Sequence, residues 1–171
     1  MFGATPPYGA FRGRLEMKTG FLPPGEGRAY WVVGDLYTIL SGGDDTGGAF
    51  ALIHAVVPPG GGPPPHVHGR EDEAFYVLDG TVTFHADGRE FTATAGTWIT
   101  LARGSLHSFN NTGATPAAML IVATPAGLER FFAEIGVPVT DRTAAPPPVG
   151  PDEIGRLLAV APTYGIEIRL P

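Results

Sequence analysis

Two histidines and a carboxylate fall within eight positions in His66-Val67-His68-(four residues)-Glu73, a segment bounded by Gly60 and Gly80. Imidazole nitrogen and carboxylate oxygen are natural ligands for a divalent transition metal. In an extended strand side chains alternate between faces, so residues two apart point both imidazoles the same way. Glu73 follows after Gly69-Arg70-Glu71-Asp72, a connection short enough for its carboxylate to reach the same ion. A bare His-x-His in a Pro/Gly loop would by itself read as a pair of surface histidines. The carboxylate raises it to the outline of a metal site, and a fourth donor is wanted.

A second stretch reads Gly96-(five residues)-Ala102-Arg103-Gly104-Ser105-Leu106-His107-(three residues)-Asn111. Together the two stretches resemble the two motifs of the cupin superfamily. The first matches at every defining position. The second departs at Ala102, where the family usually has proline, a change that bears on the stiffness of one turn and not on the ligands. Fifteen residues separate Gly80 from Gly96, the compact spacing of small microbial cupins. The resemblance implies His66, His68, Glu73 and His107 as metal ligands. It also implies an all-β fold, a double-stranded β-helix or jelly-roll barrel, with one or two short C-terminal helices.

Beyond the motifs, the layout is similar to that of small single-domain quercetin 2,3-dioxygenase-like cupins. Three runs carry this: Gly34-Asp35-Leu36-Tyr37-Thr38-Ile39 followed by Gly42-Gly43, Glu73-Ala74-Phe75-Tyr76-Val77 before Gly80, and Thr124-Pro125-Ala126-Gly127-Leu128-Glu129-Arg130-Phe131-Phe132. That family implies a flavonol-type substrate held at the metal through its 3-hydroxyl oxygen, with Glu73 as the catalytic residue that accepts the hydroxyl proton. Dioxygen then adds across C2 and C4, and ring cleavage releases carbon monoxide. Related small cupins include isomerases, decarboxylases and proteins that only bind a ligand, because a scaffold does not fix a reaction.

Three neutral imidazoles and one carboxylate suit iron, manganese, nickel, cobalt or copper(II) better than calcium or magnesium. Four protein ligands leave room for a water, a substrate oxygen or dioxygen. On strands, Phe75 and Val77 would share the face of Glu73, and Phe109 that of His107. Phe75, Phe109, Met119 and Phe132 are therefore candidate substrate-pocket residues, although ordinary core packing accounts for them equally well. His85 alternates with Val82, Phe84 and Ala86 and is expected to face solvent; His54, in an apolar strand, reads as structural.

The elements that must position these residues are short strands. Strand-like runs lie at Leu15 to Lys18, Arg28 to Val33, Leu36 to Ser41, Phe50 to Val57, Ala74 to Leu78, Thr81 to Ala86, Glu90 to Thr94, Trp98 to Leu101, Leu106 to Asn110 and Ala117 to Ala123. Gly42-Gly43-Asp44-Asp45 reads as a turn, and Asp87-Gly88 as a hairpin turn. The period then changes. Thr124 is the expected N-cap, Pro125 the first helical residue and Gly136 the stop, with Leu128, Phe131, Phe132 and Ile135 on one face. A second short helix is expected at Asp152 to Ala159. The expected organisation is an N-terminal extension over 1–22, the barrel over 23–124, the helix over 125–136 and a linker and tail over 137–171.

Composition excludes several classes. The formal charge is -6 with 11 scattered basic residues, which offers no footprint for a phosphate backbone, so nucleic acid is not an expected partner. The absence of cysteine excludes disulfides and Fe–S chemistry. Met1 to Gly20 lacks a basic start and apolar run, and no segment approaches the ~20 apolar residues of a membrane span. The expected setting is cytoplasmic without a membrane partner, with a small-molecule substrate and O2 as reactants. The resemblance adds a homodimer, since single-domain cupins commonly pair through an outer sheet and terminal segments.

Overall fold

The computed structural model describes residues 16–170. Alternating apolar and polar residues make two antiparallel sheets that face one another, the architecture of a double-stranded β-helix. The strands are β1 (Arg28–Val32), β2 (Asp35–Ser41), β3 (Ala51–Val57), β4 (His66–His68), β5 (Asp72–Asp79), β6 (Thr81–Ala86), β7 (Arg89–Thr94), β8 (Trp98–Leu101), β9 (Leu106–Asn111), β10 (Ala117–Thr124), β11 (Val137–Pro138) and β12 (Ile166–Ile168). The larger sheet runs β11-β1-β2-β3-β10-β5-β8 and the smaller β12-β4-β9-β6-β7.

Strict alternation of burial along β3 and β10 shows why the sheets must pack. Ile53 and Val57 from β3, Met119 and Ile121 from β10, and Phe75 and Val77 from β5 are removed almost completely from water. Each such side chain contributes about 1.5–3 kcal/mol. Phe84 crosses from the smaller sheet to meet Phe75 at 5.2 Å between ring centroids, and its neighbour in the same sheet, Phe109, lies 5.7 Å away. This aromatic cluster sits directly beneath the candidate ligands, because Phe84 pairs with Phe109 across β6 and β9 while His107 lies two residues from Phe109.

Two tight turns set register. Asp87-Gly88, with φ of 49° and 76°, closes the β6–β7 hairpin as expected. Val33-Gly34, with φ of 49° and 86°, makes the same kind of turn between β1 and β2 and so decides which face Asp35 takes.

Several expectations are corrected. The run Leu15 to Lys18 does not form a strand over its described part, Glu16 to Lys18, while Leu15 and the first fourteen residues lie outside the described ones. Gly42 to Asp45 is not a bare turn but leads into a one-turn helix, α1 (Gly43–Thr46), whose Asp45 carboxylate accepts the Gly42 amide at 2.9 Å. The main helix, α2 (Leu128–Ile135), begins later than expected. Thr124 stays in β10, its hydroxyl donating to the Ala49 carbonyl at 3.0 Å, so it is not free to cap. Glu129 caps instead, one carboxylate oxygen accepting the Gly127 amide at 2.8 Å and the other the Gly43 amide at 2.9 Å. The face of α2 is the one expected, with Leu128, Phe131, Phe132 and Ile135 buried.

The tail does more than link. β11 adds to β1, α3 (Pro151–Val160) follows, and β12 pairs with β4, placing Ile166 opposite His68 and Ile168 opposite His66. Among the described residues no helix is long and apolar enough to cross a membrane.

Candidate metal centre

His66 and His68 lie on β4, a three-residue strand held between β12 and β9, and the register sets His66 directly opposite His107. Glu73 comes from β5 in the other sheet, between Ala123 of β10 and Leu101 of β8. The four side chains therefore meet across the barrel, each 3 to 7% exposed, and one donor atom from each lies within 4.8 Å of every other. Sequence separation is large but sheet separation is small.

The outward side of each ring is occupied. His66 Nδ1 contacts the Pro64 carbonyl at 2.9 Å, His107 Nδ1 the Ser105 carbonyl at 3.0 Å, and His68 Nδ1 the Glu71 carboxylate at 3.4 Å. Because these partners only accept, they favour the Nδ1–H tautomer and leave each Nε2 lone pair facing the centre. There Glu73 stands 2.9 Å from His107 Nε2 and 3.3 Å from His68 Nε2. In either neutral tautomer of His107 one of its two contacts sets lone pair against lone pair. A cation at the centre, or an imidazolium, removes that conflict. These four residues fit a divalent metal ion on donor type, number, tautomer and burial.

The charges point the same way. Burial alone would raise the Glu73 carboxyl, but His68, the hydrogen bond from His107 and the charge of His66 overcome it and hold it at about 2. Burial and the neighbouring His107 pull His66 down to about 4. His68 is also pulled down by burial, yet Glu73 and Glu71 outweigh this and raise it. The centre thus combines an ionised carboxylate with imidazoles whose charge a bound cation would suppress.

Beside it lies a partly open, apolar cavity of about 60 Å³. Glu73, His66 and His68 form one wall, Phe75 and Phe109 come from the strands, and Phe132 comes from α2. Met119 does not reach it. That side chain is fully buried in the core, and Ile121, two residues along the same face of β10 and so about 7 Å nearer the opening, lines the cavity instead. His85 is exposed beside Glu90, and His54 is half-buried on the outer face of β3, so neither approaches the centre.

Sequence reasoning missed Asp35, Tyr37 and Glu71. A signal existed for the first two, since an aspartate and a tyrosine two apart in an apolar strand share one face. Both line the cavity, and the Tyr37 hydroxyl donates to Asp35 at 3.1 Å. Burial pushes the Asp35 carboxyl up to about 7, against the opposing pulls of Tyr37 and the Gly62 amide. A value raised above the ordinary carboxylate range favours the protonated form in the folded state. Its contribution to stability is fully present below about pH 4 and is lost as pH rises through about 7. Asp35→Asn, neutral throughout, is expected to exceed the wild type by about 2–4 kcal/mol at pH 8, with the gap closing toward pH 4. Urea unfolding of metal-free protein at pH 4, 6 and 8 measures this; a gap independent of pH would show that Asp35 does not titrate as a buried acid.

Known proteins share this fold. Residues 53–123 match the family model described as a cupin domain. A quercetin 2,3-dioxygenase of Bacillus subtilis (strain 168) is 28% identical over 127 residues, which is 72% of this chain but 37% of that protein. The match thus spans little more than a third of the relative's length. Among solved structures, a predicted oxalate decarboxylase from Thermotoga maritima superposes with a TM-score of 0.58 at 24% identity, over 62% of this chain and 99% of that one. A polyketide cyclase from Streptomyces resistomycificus superposes with a TM-score of 0.55 at 24% identity, over 62% of this chain and 79% of that one. At such identities the two structures speak for the fold alone. A facing pair of antiparallel sheets and a matched segment that ends one residue before β10 does agree with the similarity to a curated relative: residues 53–123 form a cupin domain.

Proposed function

We propose that this protein is a metal-dependent dioxygenase that cleaves an enolisable, flavonol-like substrate with O2. One observation carries the reading: four buried groups of metal-ligand type converge within 4.8 Å, and three of them, His66, His68 and Glu73, line an apolar cavity. The similarity to a quercetin 2,3-dioxygenase supports the reaction class.

A divalent iron, manganese, cobalt, nickel or copper ion held by His66, His68, Glu73 and His107 would supply Lewis acidity that stabilises an enolate oxygen. Glu73 accepts the proton that the enol loses. A carboxylate held at about 2 is ionised at any working pH, so it is always available, but it is a weak base. The substrate hydroxyl must therefore be strongly acidified at the centre before Glu73 takes its proton. Phe75, Phe109 and Phe132 hold a planar apolar ligand and keep water from the site.

A second reading has its own support. The cavity of about 60 Å³ is well below the ~300–1,000 Å³ of pockets for drug-sized ligands, which favours a small substrate. A metal-assisted isomerase, lyase or decarboxylase would fit that size without consuming oxygen. Protein loaded with each metal in turn, incubated in an oxygen electrode with flavonols and small enolisable aromatics, separates the two. Oxygen uptake equal to substrate loss is expected. Substrate loss under nitrogen supports the second reading, and saturable binding without product would make this a ligand-binding cupin.

A further inference from the structure

The cavity has a polar wall that the metal chemistry does not use. Asp35 and Tyr37 sit two apart on β2, in the sheet opposite the three histidines, and are 2% and 4% exposed. Tyr37 is held by stacking on Phe132, with ring centroids 4.3 Å apart, and its hydroxyl proton is committed to Asp35 Oδ2. Asp35 Oδ1 has no hydrogen-bond partner and is the buried side-chain polar atom so left among the described residues. The Gly62 amide lies near enough to lower the carboxyl's pKa without closing a hydrogen bond to Oδ1.

Such a group needs an explanation, because a buried polar atom left unpaired is costly. The surroundings hold it in place. A Cβ added at Gly61 would stand 2.6 Å from Asp35 Oδ1, so the backbone of the loop before β4 packs against this oxygen and only glycine allows it. The Val33-Gly34 turn adds to this, since a β-branched residue at φ of 49° is strained and is kept there while Val33 itself lines the cavity. Strain, a close glycine contact and an orphan acceptor converge on one wall.

We infer that Asp35 and Tyr37 form a second binding subsite, which takes a hydroxyl group on the far side of a ligand whose enol oxygen occupies the metal side. This rests on the reading of the centre proposed above. The chemistry is selective. Asp35 and Tyr37 both line the cavity, and because the Gly61 backbone covers Oδ1 a ligand hydroxyl must part that contact to be accepted, while a carboxylate in the same place is repelled. A ligand lacking the group leaves Oδ1 unpaired, the situation in which hydrogen-bonding sites discriminate most strongly.

Three probes share one 3-hydroxy-4-pyranone chelating unit: pyromeconic acid carries hydrogen, kojic acid a hydroxymethyl group and comenic acid a carboxylate. Binding to cobalt-loaded protein at pH 8 is read from the visible spectrum of the ion. Kojic acid is expected to bind on the order of tenfold more tightly than pyromeconic acid, with comenic acid weakest. Asp35→Leu should bring the kojic-to-pyromeconic ratio close to one. Asp35→Asn turns the free acceptor into an N–H donor, so comenic acid should gain about tenfold while kojic acid loses its advantage. An inversion of preference is a signature that a merely structural residue would not give, and Asp35→Asn keeps the shape should the leucine variant fail to fold. A wild-type ratio near one, or a ratio that both variants leave unchanged, overturns the subsite alone. If no probe perturbs the cobalt spectrum, the enolate-binding reading of the centre falls and the subsite falls with it.

Discussion

His107→Ala is expected to weaken binding of a divalent first-row metal by a factor on the order of 10³, measured by competition with a chromophoric chelator. Removing a group that only orients a ligand costs about 10–100-fold, and a direct ligand contributes more. His107 also reaches furthest: it faces His66 across the strand pair and stands 2.9 Å from Glu73 across the barrel. Binding within tenfold of wild type would remove His107 from the ligand set.

Glu73→Gln is expected to retain metal with reduced affinity and to lose turnover by about 10²–10⁴-fold. The amide keeps an oxygen toward the centre but cannot accept a proton. Because burial opposes and the three imidazoles favour its charge, Glu73 is held at about 2 in the wild type, and its own ionisation should leave no step in the turnover profile above about pH 4. A fall in activity toward acid would instead report protons competing with metal at the imidazoles. Full activity in a metal-loaded Glu73→Gln protein would show that the proton goes elsewhere.

Both expectations concern residues legible without coordinates. His66-Val67-His68 follows from strand parity, and the four-residue connection to Glu73 is too short to lead far away. Placing His107 required more, because β9 is distant in sequence and only the resemblance linked the two stretches. The buried face of α2 was equally legible, since Leu128, Phe131, Phe132 and Ile135 recur at helical spacing. Its start was not: Thr124 is a good cap by type, but its hydroxyl belongs to Ala49, and the capping carboxylate sits inside the helix at Glu129.

The wall opposite the metal ligands shows the limit more sharply. Nothing local in Gly34-Asp35-Leu36-Tyr37 says that its inward face meets the cavity of the histidines rather than the aromatic core. That is decided by the register of β2 against β3 and by the turn at Val33-Gly34. Met119 and Ile121 differ in the same way, sharing a face of β10 while only Ile121 reaches the opening. The return of the tail was likewise hidden, since Ile166-Glu167-Ile168 is too short to announce a strand and becomes one only by pairing with β4.

Donor types, the faces they share, the strand pattern and the buried face of α2 were all local properties, set by periodicities of two and 3.6 residues that near neighbours express without help. How far each donor stands from the others, how little room lies beside them and which carboxyl is left unpaired across the cavity emerged only on folding. Those are properties of sheet pairing and closure, in which residues far apart in the chain are brought within a few ångströms.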